Sequence, residues 1–338
     1  MKMKWIHYIT LSLLAVCMAC SDKEELLPES TAFPMSFKLS VAAEGDGTTG
    51  MENTTPNLTR LYLVERRAGE QEKLYCDTYY DIEGNHLKID QLLGQWYKFV
   101  FFRVPAINDA MGDKLFEQEM IGPERYEFYD RKLDYTPLLD YQQNLNTVGD
   151  HDLAIYRKIV DRWVNADMPT QENILMQRIT GQLVMQMGKP ADQFDTKTKG
   201  PVTQISLKVD ALTQCYQRDK GDGEVIPVDN ATKSYTFTWT VSAEEQLVKQ
   251  EFPVMLLPGT LQGEVTVTFT NGVIETYPLQ GRVSGGSEVN DITIHPNRRT
   301  IVLFNGINKE EFEIRYAGFA DGNDANIDVD TDEWDGIQ

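Results

Sequence analysis

The sequence predicts an all-β protein: two β-sandwich domains in tandem, with a loop-rich, partly helical insertion in or after the first. Three observations carry this. Apolar and polar residues alternate with a period of two in stretch after stretch, most cleanly at Ser234 to Val241, where Tyr235, Phe237, Trp239 and Val241 face Thr236, Thr238 and Thr240. Gly, Pro and Asn turns separate these stretches at the spacing of a sandwich. The chain has 338 residues, which fits two domains of about 150 residues each.

The chain begins with Lys2 and Lys4 ahead of a short apolar run, Ile9 to Met18, too brief for a transmembrane helix. The run closes on Cys17-Met18-Ala19-Cys20. Residues 1–20 therefore read as a lipoprotein signal peptide, cut before Cys20, which would carry the lipid. The charged Ser21-Asp22-Lys23-Glu24-Glu25 follows and is similar to a tag that exports lipoproteins to the cell surface. Residues 21–33, with Pro28, read as a stalk.

The first sandwich is expected over 34–172. Its first strand is Met35 to Val41, where Phe37, Leu39 and Val41 alternate with Ser36, Lys38 and Ser40. A long loop, Glu44 to Asn57, precedes a strand at Leu61-Tyr62-Leu63-Val64, and Lys73 to Tyr80 forms the next strand. Glu83-Gly84-Asn85 turns the chain into His86 to Leu93, and Tyr97 to Phe102 is the most aromatic strand, expected at a sheet centre. From Pro105 to Glu172 the alternation stops. There Leu153 to Trp163 places apolar residues at helical spacing, so a short helix is expected within this insertion.

The second sandwich is expected over 173–338. Arg178 to Met187 reads as one strand interrupted only by Gly181, followed by Val202 to Val209 and the Tyr235 to Val241 strand. Glu251 to Leu257 ends at Pro258-Gly259. Glu264 to Thr270 and Val273 to Leu279 form a hairpin across Asn271-Gly272. Asp291 to Asn297, Thr300 to Phe304 and Glu311 to Ala317 complete about eight strands.

The formal net charge of −20 argues against nucleic acid as a partner, because that needs clustered Lys and Arg. Of the 4 cysteines, Cys17 leaves with the signal and Cys20 is acylated, so Cys76 and Cys215 read as buried thiols rather than a bridge between domains. His86, His151 and His295 stand apart, without a zinc spacing, and no nucleophile elbow, phosphate loop or dinucleotide fingerprint occurs. Abundant carboxylates make any one pair uninformative. The expectation is a non-enzymatic protein with no cofactor. Asp328, Asp330 and Asp332 are metal candidates by spacing alone, but Glu333 stands where a calcium loop needs glycine, and a solvent-facing acidic strand is the preferred reading. Tyr97, Phe99, Phe101, Tyr235, Phe237 and Trp239 read as core before sugar platforms.

Leu61-Tyr62-Leu63-Val64-Glu65 after the long loop, Arg178-Ile179-Thr180-Gly181-Gln182-Leu183, Leu256-Leu257-Pro258 and Ile292-Thr293-Ile294-His295-Pro296-Asn297 are similar to strand signatures of one family. With the lipobox and tag, the chain resembles the fimbrillin and fimbrial-anchor lipoproteins of type V fimbriae. The resemblance implies two transthyretin-like β-sandwiches, no enzymatic activity, an outer-membrane, cell-surface location through the Cys20 lipid, and other fimbrial subunits as partners. It further implies polymerisation by β-strand addition in shaft and tip subunits, after a protease cuts behind an arginine in the loop following the first strand; Arg60 is the candidate here, with Arg66 and Arg67 at a strand end. Anchors of the family stay uncut. The chain departs from the family in lacking a cysteine-containing opening before its first strand and in its long 105–172 insertion. The alternative expectation is a surface glycan-binding lipoprotein using Trp163, Trp239 and Trp334.

Overall fold

The structure is a computed structural model that describes residues 31–42, 48–49, 57–66, 74–106, 133–144, 153–187, 196–213, 215–218, 225–227, 232–241, 251–283, 288–289, 291–304 and 312–317. The first unit contains β1 (Ala32–Ala42), β2 (Thr48–Thr49), β3 (Asn57–Arg66), β4 (Leu74–Ile82), β5 (His86–Leu93) and β6 (Trp96–Pro105). The chain continues through β7 (Leu133–Asp134), α1 (Thr136–Gln143), β8 (Tyr156–Trp163) and β9 (Gln171–Arg178). Its strands lie in the order β2-β1-β9-β8-β6-β3-β4, with β5 on the other side of β1. The joint between β9 and β8 is narrow, involving only Tyr156↔Arg178 and Arg157↔Gln177, so the sheet folds over on itself there. As a result β1 faces β6: the Phe37 ring lies 5.0 Å from that of Phe99 and 5.2 Å from that of Phe101.

The second unit contains β10 (Gly181–Met187), α2 (Thr196–Lys199), β11 (Val202–Thr213), β12 (Cys215–Arg218), β13 (Val225–Pro227), β14 (Thr232–Thr240), β15 (Glu251–Leu256) and β16 (Gly259–Phe269). It ends with β17 (Ile274–Pro278), β18 (Gly281–Val283), β19 (Glu288–Val289), β20 (Ile292–Ile294), β21 (Arg299–Phe304) and β22 (Phe312–Ala317). One sheet runs β15-β10-β21-β22-β18-β19; the other runs β14-β11-β16-β17, with β20 also on β16. The two layers meet across Trp239 and Phe252, whose rings are 5.4 Å apart. The all-β sandwich expectation thus holds, and the alternation of Tyr235, Phe237, Trp239 and Val241 is an alternation of buried residues.

Two expectations are corrected. Leu153 to Trp163 is no helix; its greater part is β8, paired with β6 from Trp96↔Trp163 to Arg103↔Tyr156. Tyr156 and the adjacent Arg157 are both buried, because both faces of the sheet are covered at this end, and covering both faces erases the period of two. The short helix of the insertion comes earlier, at α1, where Pro137 sits in the first turn and its fixed φ costs nothing. The stretch Arg178 to Met187 is not one strand either. β9 pairs in parallel with β1, while β10 pairs with β15 and β21. β9 and β10 thus lie in different sheets, and the chain passes from one to the other at Ile179-Thr180.

That junction is packed tightly. Thr180 is fully buried; its hydroxyl accepts from the Ile155 amide at 3.2 Å, and its carbonyl accepts from the Asn297 amide at 2.9 Å. A Cβ on Gly181 would lie 2.3 Å from the His295 carbonyl oxygen, so only glycine lets the strands approach this closely. The Asn271-Gly272 hairpin forms as expected, closed by the Phe269 amide on the Val273 carbonyl at 2.9 Å, with Gly272 at φ 82°.

Candidate functional site

The first unit is built around β1. Its residues Met35, Phe37, Leu39 and Val41 are 2%, 0%, 2% and 7% exposed, as the alternation of the sequence requires. On one side it pairs antiparallel with β5, from Ala32↔Leu93 to Lys38↔His86. On the other it pairs parallel with β9, from Ser36↔Gln171 to Val41↔Met176. Its amides alternate accordingly: Ser36 donates to the Thr170 carbonyl at 2.9 Å and Leu39 to the Asn85 carbonyl at 2.8 Å. β1 is therefore an interior strand of its layer and the first of the described strands.

Arg60 is the fourth residue of β3, inside a strand rather than in the loop before it. β3 is paired on both sides there, Arg60 opposite Asp81 of β4 and Phe102 of β6. Its guanidinium is buried and holds Asp81 through two hydrogen bonds, Nε to Oδ1 at 2.5 Å and Nη2 to Oδ2 at 3.0 Å. It also lies 4.3 Å from the centre of the Tyr79 ring. Burial works against the charge, but the bonds to Asp81 and Tyr62 outweigh it and hold the group above its ordinary pKa. Cleavage behind Arg60 would need the start of β3 to separate from both neighbours.

The insertion closes a different edge. Among the described strands, β15 ends its sheet, and Met255 directs its amide and carbonyl outward to α1. The Met255 amide donates to Gln142 Oε1 at 2.7 Å, and Gln142 Nε2 donates back to the Met255 carbonyl at 2.9 Å. The Tyr135 hydroxyl donates to the same carbonyl at 3.0 Å. The side-chain amide of Gln142 thus pairs with Met255 as a neighbouring strand would. Two residues earlier on the same side of β15 stands Pro253, which has no amide proton to offer. The sequence held this second signal, a proline inside a strand; Gln142 and Tyr135 carry no pattern that would single them out.

The other expected residues are distributed as follows. Tyr97, Phe99, Phe101, Tyr235, Phe237 and Trp239 are buried, while Trp163 is 62% exposed. Cys76 is a buried thiol that donates to the Thr78 carbonyl at 3.4 Å. His86 is exposed. His295 packs edge-on against Tyr316, ring centres 5.2 Å apart; burial first, and then the charge of Arg298, lower its pKa. Cys20, Arg67, His151, Asp328, Asp330, Asp332 and Trp334 lie outside the described residues. Among the described residues, no group of three or more His, Cys, Asp or Glu side chains is placed to hold a metal ion. No helix among them is long and apolar enough to cross a membrane.

No protein-family model matches the sequence, and no curated protein matches it. Solved structures that are similar include the C-terminally truncated tip fimbrial protein Mfa3 of Porphyromonas gingivalis, at TM-score 0.44 and 10% identity, covering 85% of this chain and 100% of that one. A candidate cell adhesion protein of Bacteroides eggerthii aligns at TM-score 0.45 and 10% identity, covering 86% and 96% of the two chains. A candidate polysaccharide-binding protein of Bacteroides thetaiotaomicron aligns at TM-score 0.42 and 11% identity, covering 81% and 92%.

Proposed function

We propose that this protein is a non-enzymatic cell-surface lipoprotein, a fimbrial subunit or anchor that takes part in pilus assembly and adhesion through β-strand addition. The observation that supports this most is the placement of β1, held between β5 and β9 with Met35, Phe37, Leu39 and Val41 in the core. An interior strand close to the N-terminal end of a fold can leave without pulling other chain through the structure. Its departure bares two strand edges and an apolar slot lined by Phe99 and Phe101. Such a slot takes an extended segment of alternating apolar residues from a neighbour, with backbone hydrogen bonds for affinity and side-chain pockets for register.

Arg60 enters this reading as a conditional processing site. Its burial and its pairing with Asp81 keep it from a protease while β3 is intact, so the folded chain reads as the uncut, lipid-bearing form, with Cys20 as the membrane attachment. Release of β1 would first require the start of β3 to open.

The experiment is to blot unheated outer-membrane extracts of the native host and to determine the amino terminus of each species. A lipid-bearing species beginning at Cys20 is expected, either alone or at the base of a ladder. A ladder beginning at Leu61 identifies a processed subunit joined by strand exchange. A protein found only in the soluble fraction, without lipid, would overturn the reading.

A further inference from the structure

We infer that the surface around Trp163 is a carbohydrate-stacking subsite that takes a neutral hexopyranose unit of a polysaccharide. It lies on the face of the first sheet opposite β1, and it does not depend on strand addition.

The register brings the site together. Trp96 of β6 and Trp163 of β8 are directly opposite one another, so their side chains leave the same face on strands about 4.8 Å apart. The Arg66 guanidinium, from the end of β3, lies 4.4 Å from the centre of the Trp96 ring. Arg66 therefore covers Trp96, and Trp163, at 62% exposed, is left as the open platform beside it. Two residues further along the same face stand Lys98 and Asp161, again opposite each other, about 7 Å from the tryptophan pair. Beyond them the face becomes buried at Val100 and Tyr62.

The exposure of Trp163 does not come from a loose strand end. The next residue, Val164, is buried and donates its amide to the Gln95 carbonyl at 2.8 Å. Gln95 in turn donates to Glu65 Oε2 at 2.8 Å. Arg162 holds Glu172 at 2.5 Å, and Asn165 closes the following turn by accepting from the Asp167 amide at 3.0 Å. The indole is presented by fixed backbone, so little ordering entropy remains to be lost when a ligand arrives.

The chemistry selects the ligand class. A pyranose has an apolar face of C–H groups that stacks on an indole, and hydroxyls at its rim that both donate and accept. Asp161, two residues from Trp163 on the same face, is an acceptor, and Arg66, over the neighbouring Trp96, is a donor. A protein partner fits less well: one exposed indole offers about 150–250 Å², against roughly 800 Å² per partner in a stable interface, and the platform is rimmed by charges that such a partner would have to desolvate. Nucleic-acid bases also stack on indoles, but the net charge of −20 repels the phosphates.

The test is native affinity electrophoresis of the full chain in gels containing soluble neutral polysaccharides, namely a mixed-linkage glucan, a mannan and a galactan, with polygalacturonate as the acidic comparison. At least one neutral polysaccharide should retard the protein. Trp163→Ala should weaken that retardation by about tenfold, Trp163→Phe should retain part of it, and Asp161→Asn should weaken it less than Trp163→Ala. Tyr79→Ala, which removes another exposed ring, should leave it unchanged. Circular dichroism and melting temperature check that each variant is folded. Retardation by no neutral polysaccharide, retardation unaffected by Trp163→Ala, or retardation by polygalacturonate alone would each overturn the inference. Trp163→Ala should also leave the lipid-bearing species and any oligomer ladder unchanged, so failure here is distinguishable from failure of the assembly reading.

Discussion

β1 and β15 satisfy their backbone pairing groups in opposite ways. β1 lies inside its layer, filled on both sides by β5 and β9. Among the described strands, β15 lies at the edge of its sheet, and its outward groups are closed by Pro253 and by Gln142. An open sheet edge is a template for unwanted pairing. The difference teaches that the two strands are closed by different means: β1 by strand neighbours on both sides, β15 by a proline and a side-chain amide.

The largest effect should come from the β1 side. Phe37 is fully buried between Phe99 and Phe101, so Phe37→Ala should cost about 3–5 kcal/mol in denaturant unfolding. If the first unit holds β1 weakly, the loss will instead appear as a local event: early amide exchange in β1, β5 and β9, with the second unit still protected. Uniform loss across both units would show that β1 does not move alone.

Next in size is the closure of β15. Gln142→Ala removes the partner of the buried Met255 amide, although Tyr135 still serves the carbonyl. The expected loss is about 1–3 kcal/mol, with faster hydrogen exchange at the Met255 amide. An unchanged exchange rate there would mean that α1 is not what closes this edge.

A smaller, pH-dependent effect comes from His295, whose carbonyl abuts Gly181 at the start of β10, the strand that backs β15. Its pKa in the fold lies below the ordinary value of 6.5. Above that value the imidazole is neutral whether or not the chain is folded, and it contributes no pH dependence. As the pH falls below it, the unfolded chain takes up a proton that the folded chain refuses, so stability declines until the lower folded value is passed. Unfolding measured between about pH 7 and pH 5 should show this decline, and His295→Gln should flatten it. An identical slope in that variant would assign the decline to other groups.

What the sequence made legible follows from how many faces of each strand are covered. β1, β11 and β14 have one face in the core and the other more open, and their alternation reads directly. β8 is covered on both faces at its start, so Ile155, Tyr156, Ile159 and Val160 imitate a helix. Strand order was not legible, because the parallel pairs β1 with β9 and β10 with β21 join segments far apart in the chain. Within the sites, Trp163 could be named from the sequence. That Trp96 stands beside it, and that Trp239 is core while Trp163 is not, needed the register of β6 and β8. Arg60 was placed ahead of its strand because the residues before Leu61 show no clear alternation, yet β3 starts at Asn57.

The smallest effect on stability should come from Pro253→Val, and it sharpens the comparison most. The site lies on the outward side of β15, where the missing amide proton serves no hydrogen bond within the sheet, so the substitution should change stability by no more than about 0.5 kcal/mol. Its consequence lies in association. With Pro253 alone replaced, Gln142 still occupies Met255, and light scattering should give the same mass as for the unsubstituted chain. Combined with Gln142→Ala, the outward side of β15 would present the donors and acceptors of residues 251, 253 and 255 together. The double variant should then form concentration-dependent oligomers that the single variants do not. Because these would pair through β15, they should survive truncation of Phe37 in β1. A double variant whose mass at high concentration matches that of the unsubstituted chain would show that the edge is closed by something other than this proline and this glutamine, and the contrast between the two strands would lose its physical basis.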